Sequence, residues 1–172
     1  MELVTLNRNN FIGKAFWLFC GIQILWLVSS FAYAENNVKE SIVKFYTVYN
    51  RFNYQDPWVM KGQNTSHGSG SIISGGRILT NAHVVSDHMY IQVRRAGQAK
   101  KYTARVEKIG HEKDLAIVRV DDQEFFANAT PLEFGDLPGL KDSVSVYGFP
   151  DGGDKLSLTE GIVSRVEHTN YF

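Results

Sequence analysis

Two residues in this sequence stand where they could drive nucleophilic chemistry. His83 ends the run Thr80-Asn81-Ala82-His83 after an apolar stretch, and Asp114 directly precedes Leu115-Ala116-Ile117-Val118. A hydroxyl is a poor nucleophile until an imidazole within hydrogen-bond reach takes its proton and returns it to the leaving group. A carboxylate then holds the imidazole in the correct tautomer and stabilises the imidazolium. Taken singly, each residue has a plainer reading, the histidine as a satisfied strand-end residue and the aspartate as a turn residue. Together, histidine first and aspartate about 31 positions later, they are a base and an orienting carboxylate that could serve one nucleophile.

The elements that must position this pair read as short strands. Ser41–Tyr49 mixes alternation with β-branched and aromatic residues, and Asn50–Lys61 reads as a loop broken by Asp56-Pro57. Gly68–Ser74 and Arg77–Thr80 flank Gly75-Gly76, a hairpin signal. Tyr90–Arg94 and Lys101–Val106 flank a turn at Ala96-Gly97-Gln98, and Leu115–Val120 is a sixth strand. A connecting stretch, Asp121–Asp142, is punctuated by Pro131, Gly135, Pro138 and Gly139. Ser143–Gly148 follows as a strand, and Leu156–Thr159 with Gly161–Val166 forms the next extended stretch. The spacing predicts an all-β barrel or sandwich, with one helical turn near Ala82–Val85. Phe125-Phe126 is expected to pack the connection onto a barrel, and Arg94-Arg95 with Lys100-Lys101 to form a solvated hairpin tip.

Several segments together resemble the HtrA/Deg branch of the trypsin-like serine proteases. They are Gly68-Ser69-Gly70-Ser71, Thr80–Val85, His111–Val118, and Tyr147–Asp154 followed by Leu156–Arg165. The likeness runs from about Ser41 to Phe172. It implies a chymotrypsin-like double β-barrel, with the first barrel at about 41–120 and the start of the second at about 143–172. It also implies His83 as general base, Asp114 as its orienting carboxylate, and no cofactor. Polypeptide substrates follow from the resemblance, unfolded or misfolded ones in particular, as does assembly into homo-oligomers.

The sequence departs from the family at the nucleophile. That serine is expected in a Gly-Asn-Ser-Gly-Gly segment, and none occurs in these 172 residues. Ser69 and Ser71 precede the histidine on a strand, while Ser157 and Ser164 lack the glycines that shape an oxyanion hole. Each donor of that hole is worth roughly 2.7–4 kcal/mol. The second barrel is therefore expected to be truncated, and the chain as written to be inactive against peptides. The competing expectation is a non-catalytic polypeptide-binding or regulatory module on the same scaffold.

Composition narrows the partners. Lysine plus arginine balances aspartate plus glutamate at 18 each, which gives no general attraction to nucleic acid. Residues 1–34 combine Arg8 and Lys14 with the apolar run Ala15–Val28 and end at Ala32-Tyr33-Ala34, the layout of a secretory signal peptide. The mature domain would span 35–172 and be periplasmic or secreted, or membrane-anchored if the signal stays uncleaved. The one cysteine, Cys20, lies inside that leader, so a cysteine nucleophile in the mature domain is excluded. His67, His88, His111 and His168 show no metal-binding spacing, and no metal site is expected.

Overall fold

Inward-facing apolar residues on the first six strands share one core as those strands close into a barrel. The computed structural model describes residues 38–150 and 153–167; the expected leader at 1–34 lies outside them. The strands are β1 (Ile42–Phe52), β2 (Met60–Ile73), β3 (Arg77–Thr80), β4 (His88–Arg95), β5 (Tyr102–Gly110) and β6 (Leu115–Val120). Their order around the barrel is β1-β2-β3-β6-β5-β4, and β1 also pairs with β4, so each strand has two neighbours. Closure removes every open edge.

On β6 the alternation is plain: Ala116, Val118 and Val120 face inward, while Leu115 and Arg119 are exposed. They meet Phe45, Ile72, Ile78, Ile91 and Val93 in one core. Phe125 joins that core from the turn Gln123–Phe126, stacking edge-on against Tyr102 and Phe126. The aromatic pair thus fastens the connection to the barrel, as the sequence indicates.

Two local readings need correction. The span 50–61 is not simply a loop. The β1–β2 ladder continues outward through Asn50↔Gln63 and Phe52↔Met60, and only Asn53–Val59 forms the turn. Arg95 is not at a solvated tip either. Alternation puts it in phase with Ile91 and Val93, and it is 2% exposed. Its guanidinium donates to the carbonyls of Glu40 (3.0 Å) and Ala127 (2.6 Å), which satisfies a buried cation with backbone oxygens. Burial lowers its pKa, an effect that the Glu40 carboxylate opposes.

Beyond the connection, β7 (Ser143–Gly148) and β8 (Ser157–Ile162) pair antiparallel as a separate two-stranded sheet. β8 runs unbroken through Gly161 and is shorter than the extended stretch expected over 156–166. Besides the helical turn α1 (Ala82–Val85), 3₁₀ turns form at His111–Lys113 and Gln123–Phe126. The fold is all-β, with a closed first barrel followed by this hairpin, as expected from the sequence.

Candidate active site

Barrel register brings the chemical pair together. β3 and β6 are adjacent, with Thr80 opposite Ala116, so the exit of β3 lies beside the entry of β6. α1 begins one residue past Asn81 and carries His83 on its exposed side, while Ala82, Val84 and Val85 are buried. Space for this turn comes from Gly68, where a Cβ would come within 2.6 Å of the Val84 methyls. At Gly70 a Cβ would meet the Phe45 ring at 2.6 Å and the Leu79 carbonyl at 2.7 Å. The Gly-Ser-Gly-Ser run is therefore a close-approach device under the histidine turn.

Asp114 reaches His83 through an unusual backbone conformation. It closes the His111–Lys113 turn in the left-handed region, at φ 49° and ψ 43°, which aspartate tolerates better than most residues. Its Oδ2 lies 2.7 Å from His83 Nδ1, and its Oδ1 accepts the His83 backbone N–H at 2.9 Å. That N–H is one of the unpaired amides at the start of α1, so Asp114 fills the place of an N-cap side chain from another strand. Asn81, the residue at the N-cap position, makes no cap bond of its own. Its Nδ2 instead donates to Asp114 O and Oδ2, both at 3.1 Å.

These bonds, the His83 backbone amide foremost and then its ring, hold the Asp114 carboxyl below its ordinary pKa; Asn81 adds to the effect. An ionised Asp114 accepts Nδ1–H and leaves the lone pair on Nε2, the nitrogen then available to a hydroxyl proton. Sequence reasoning assigns no role to Asn81. Its type at the end of an apolar strand signals a helix cap, and only the β3–β6 adjacency redirects it to the carboxylate.

The four serines weighed above stand apart from the pair. Ser69 packs against the chain after β7, its Oγ accepting the Phe149 N–H at 2.8 Å. Ser71 is on β2, Ser157 opens β8, and Ser164 follows it. No hydrogen bond to His83 is recorded for any of them among the described residues. Among those residues, too, no group of three or more His, Cys, Asp or Glu side chains could hold a metal ion.

Comparison with known proteins fits this geometry. A family described as "Trypsin-like peptidase domain" matches residues 68–172. "Protease Do-like 4, mitochondrial" from Arabidopsis thaliana is 51% identical over 143 residues, 83% of this chain and 27% of that protein. "Protease Do-like 2, chloroplastic" from the same plant is 43% identical over 131 residues, 76% of this chain and 22% of that protein. The crystal structure of the Rv3671c protease from M. tuberculosis, active form, superposes with a TM-score of 0.58 at 28% identity, covering 73% of this chain and 48% of that one. The chain thus spans about a quarter of the length of these curated relatives.

The relatives also correct the expected location. Several plant relatives carry mitochondrial or chloroplastic names, which overturns the periplasmic or secreted reading. The physical reason is that a positive, acid-poor N-terminus is common to export signals and organellar leaders, and the apolar run outweighed it in the reading. By family match and by identity over most of its length, the chain belongs to the trypsin-like peptidases of the HtrA/Deg branch.

Proposed function

We propose that this chain carries the base and orienting carboxylate of a serine-type endopeptidase, His83 as general base and Asp114 as its partner. The observation that carries the reading is the 2.7 Å contact from His83 Nδ1 to an Asp114 carboxylate also fixed by the His83 backbone amide. In this mechanism Nε2 takes the proton of a serine hydroxyl as it attacks the scissile carbonyl, and gives it to the leaving amine. Asp114 stays ionised and stabilises the imidazolium between the two steps. The mechanism also needs a serine in a Gly-Asn-Ser-Gly-Gly segment and its oxyanion hole, and no such segment occurs among these 172 residues.

Residues 1–34 act as a leader that delivers the protease domain, 35–172, to an organelle. Its substrates are polypeptides, unfolded ones foremost, and it works as a homo-oligomer. Import of a reporter fused to residues 1–37 into isolated mitochondria and chloroplasts tests the first point.

The catalytic reading is tested in the longest reading frame that contains this sequence, assayed on casein. His83→Ala is expected to abolish most activity, and Asp114→Asn to lower kcat by about 10⁴-fold through the wrong tautomer. Cleavage at the parent rate by either variant overturns the assignment. A protein that binds unfolded polypeptide and never cleaves it supports the non-catalytic alternative.

A further inference from the structure

Lys44 is a buried lysine that the proposed chemistry does not use. It points to the outer side of β1, a face that would ordinarily be wet, yet it is 1% exposed. The chain after β7 covers it. Nζ donates to Gly153 O and to Asp154 Oδ1, both at 3.0 Å, and sits 4.8 Å from the Tyr46 ring centre and 6.0 Å from that of Phe149. Arg94, one strand over on β4, reaches the same Asp154 through Nη2, at 3.1 Å to its carbonyl and 3.3 Å to Oδ1. Two barrel cations therefore converge on one aspartate, which is itself largely exposed. A few residues earlier, Ser69 Oγ on β2 accepts the Phe149 N–H.

Energetics alone do not account for this arrangement. Taking an ammonium out of water roughly cancels what one carboxylate returns, so a buried lysine is weak evidence of stabilisation. What such contacts can supply instead is position, by favouring one placement of the covering backbone. The placement matters for an adjacent cleft lined by Ser69, Val146, Gly148, Phe149, Pro150 and Ser157. Ser69 also lines a second cleft with Thr80, Asn81 and Leu115, which reaches the flank of the His83–Asp114 pair.

We propose that Ser69 on one side, and Lys44 with Arg94 on the other, act as a coupled two-point clamp. It docks the chain at Phe149 and at Gly153–Asp154 onto the first barrel and so fixes the wall of the cleft lined by Ser69, Gly148 and Phe149. These are positioning residues. That the cleft receives substrate rests on the proposed protease reading; the clamp itself does not.

Hydrogen exchange of the full chain, resolved at single amides, tests the coupling. Asp154→Asn, at an exposed position, is expected to speed exchange of the Phe149 amide at least tenfold although Ser69 is untouched. Ser69→Ala is expected to speed the Gly153 amide by a similar factor, with Val118 in the barrel unchanged. Asp154→Glu should restore most of the protection lost in Asp154→Asn, and Lys44→Met should reproduce that loss with an apolar side chain of similar length. If each variant alters only the amide next to it, or none, the clamp is overturned. No arm involves peptide cleavage, so failure of the clamp and failure of the catalytic reading are separately visible.

Discussion

The first barrel and the β7–β8 hairpin use the same antiparallel grammar and reach different ends. In the barrel every strand has two partners, and its inward residues, such as Phe45 and Val118, have no exposed surface. In the hairpin each strand has one partner within its sheet, and Val146 and Ile162 are each 62% exposed. The barrel holds itself together by closure and apolar burial. The connection between its strands meets the barrel through polar anchors, at Ser69, Lys44 and Arg94, beside the buried Phe149 ring. The site residues fall wholly on the barrel side of this division: Asn81, His83 and Asp114 bond to one another across β3 and β6. Their geometry therefore needs nothing from the hairpin.

Core truncation gives the largest contrast between the two regions. Phe45→Ala should destabilise the barrel by about 3–5 kcal/mol, as a large buried aromatic leaves a cavity. Val146→Ala should change stability by less than about 1 kcal/mol. Urea denaturation of both variants measures the difference; equal effects would mean that the hairpin shares the core.

A smaller effect is expected where glycine makes room. Gly68→Ala places a methyl 2.6 Å from Val84, so α1 must shift, at a cost of about 1–3 kcal/mol. The shift should also lengthen the His83–Asp114 contact, visible as a change in the His83 ring proton resonances by NMR. Unchanged resonances would show that the turn accommodates the methyl without moving the histidine.

The subtlest test is titration of Asp114. Its carboxyl is held below the ordinary range by His83 and Asn81. Its contribution to stability is therefore full above the unfolded value, about 3.9, and is lost as pH falls through the lower folded value. Asn81→Ala should move the carbon-detected titration of Asp114 upward. Asp154→Asn, at the hairpin anchor, should leave it in place. A shift in the second variant would couple the hairpin anchor to the His83–Asp114 pair.

Much of the barrel is legible in the sequence because strand period and burial coincide there. Ile91 and Val93 announce the inner face of β4, and the same period, carried two residues on, points Arg95 inward. Charge suggests the opposite, and charge misleads because three backbone carbonyls, from two segments, converge on the guanidinium. Asn50–Lys61 misleads in another way. Its polar residues pair as a two-stranded ribbon beyond the barrel, where no core demands alternation. The candidate pair is readable from type and order, whereas Asn81 and Ser69 are not, since each is defined by a partner 33 or 80 residues away.

By itself the sequence determined the strand rhythm, the glycines beneath the histidine turn, and the identity of His83 and Asp114 as the residues able to act together. Those are local matters, fixed by side-chain period, by the absence of a Cβ, and by chemical type. Only the tertiary structure decided that the Asp114 carboxylate caps the helix bearing His83, that Asn81 braces it, and that Lys44 is buried under the chain after β7. Each of these depends on which strands become neighbours when the barrel closes, and pairing at that distance leaves no mark on local sequence.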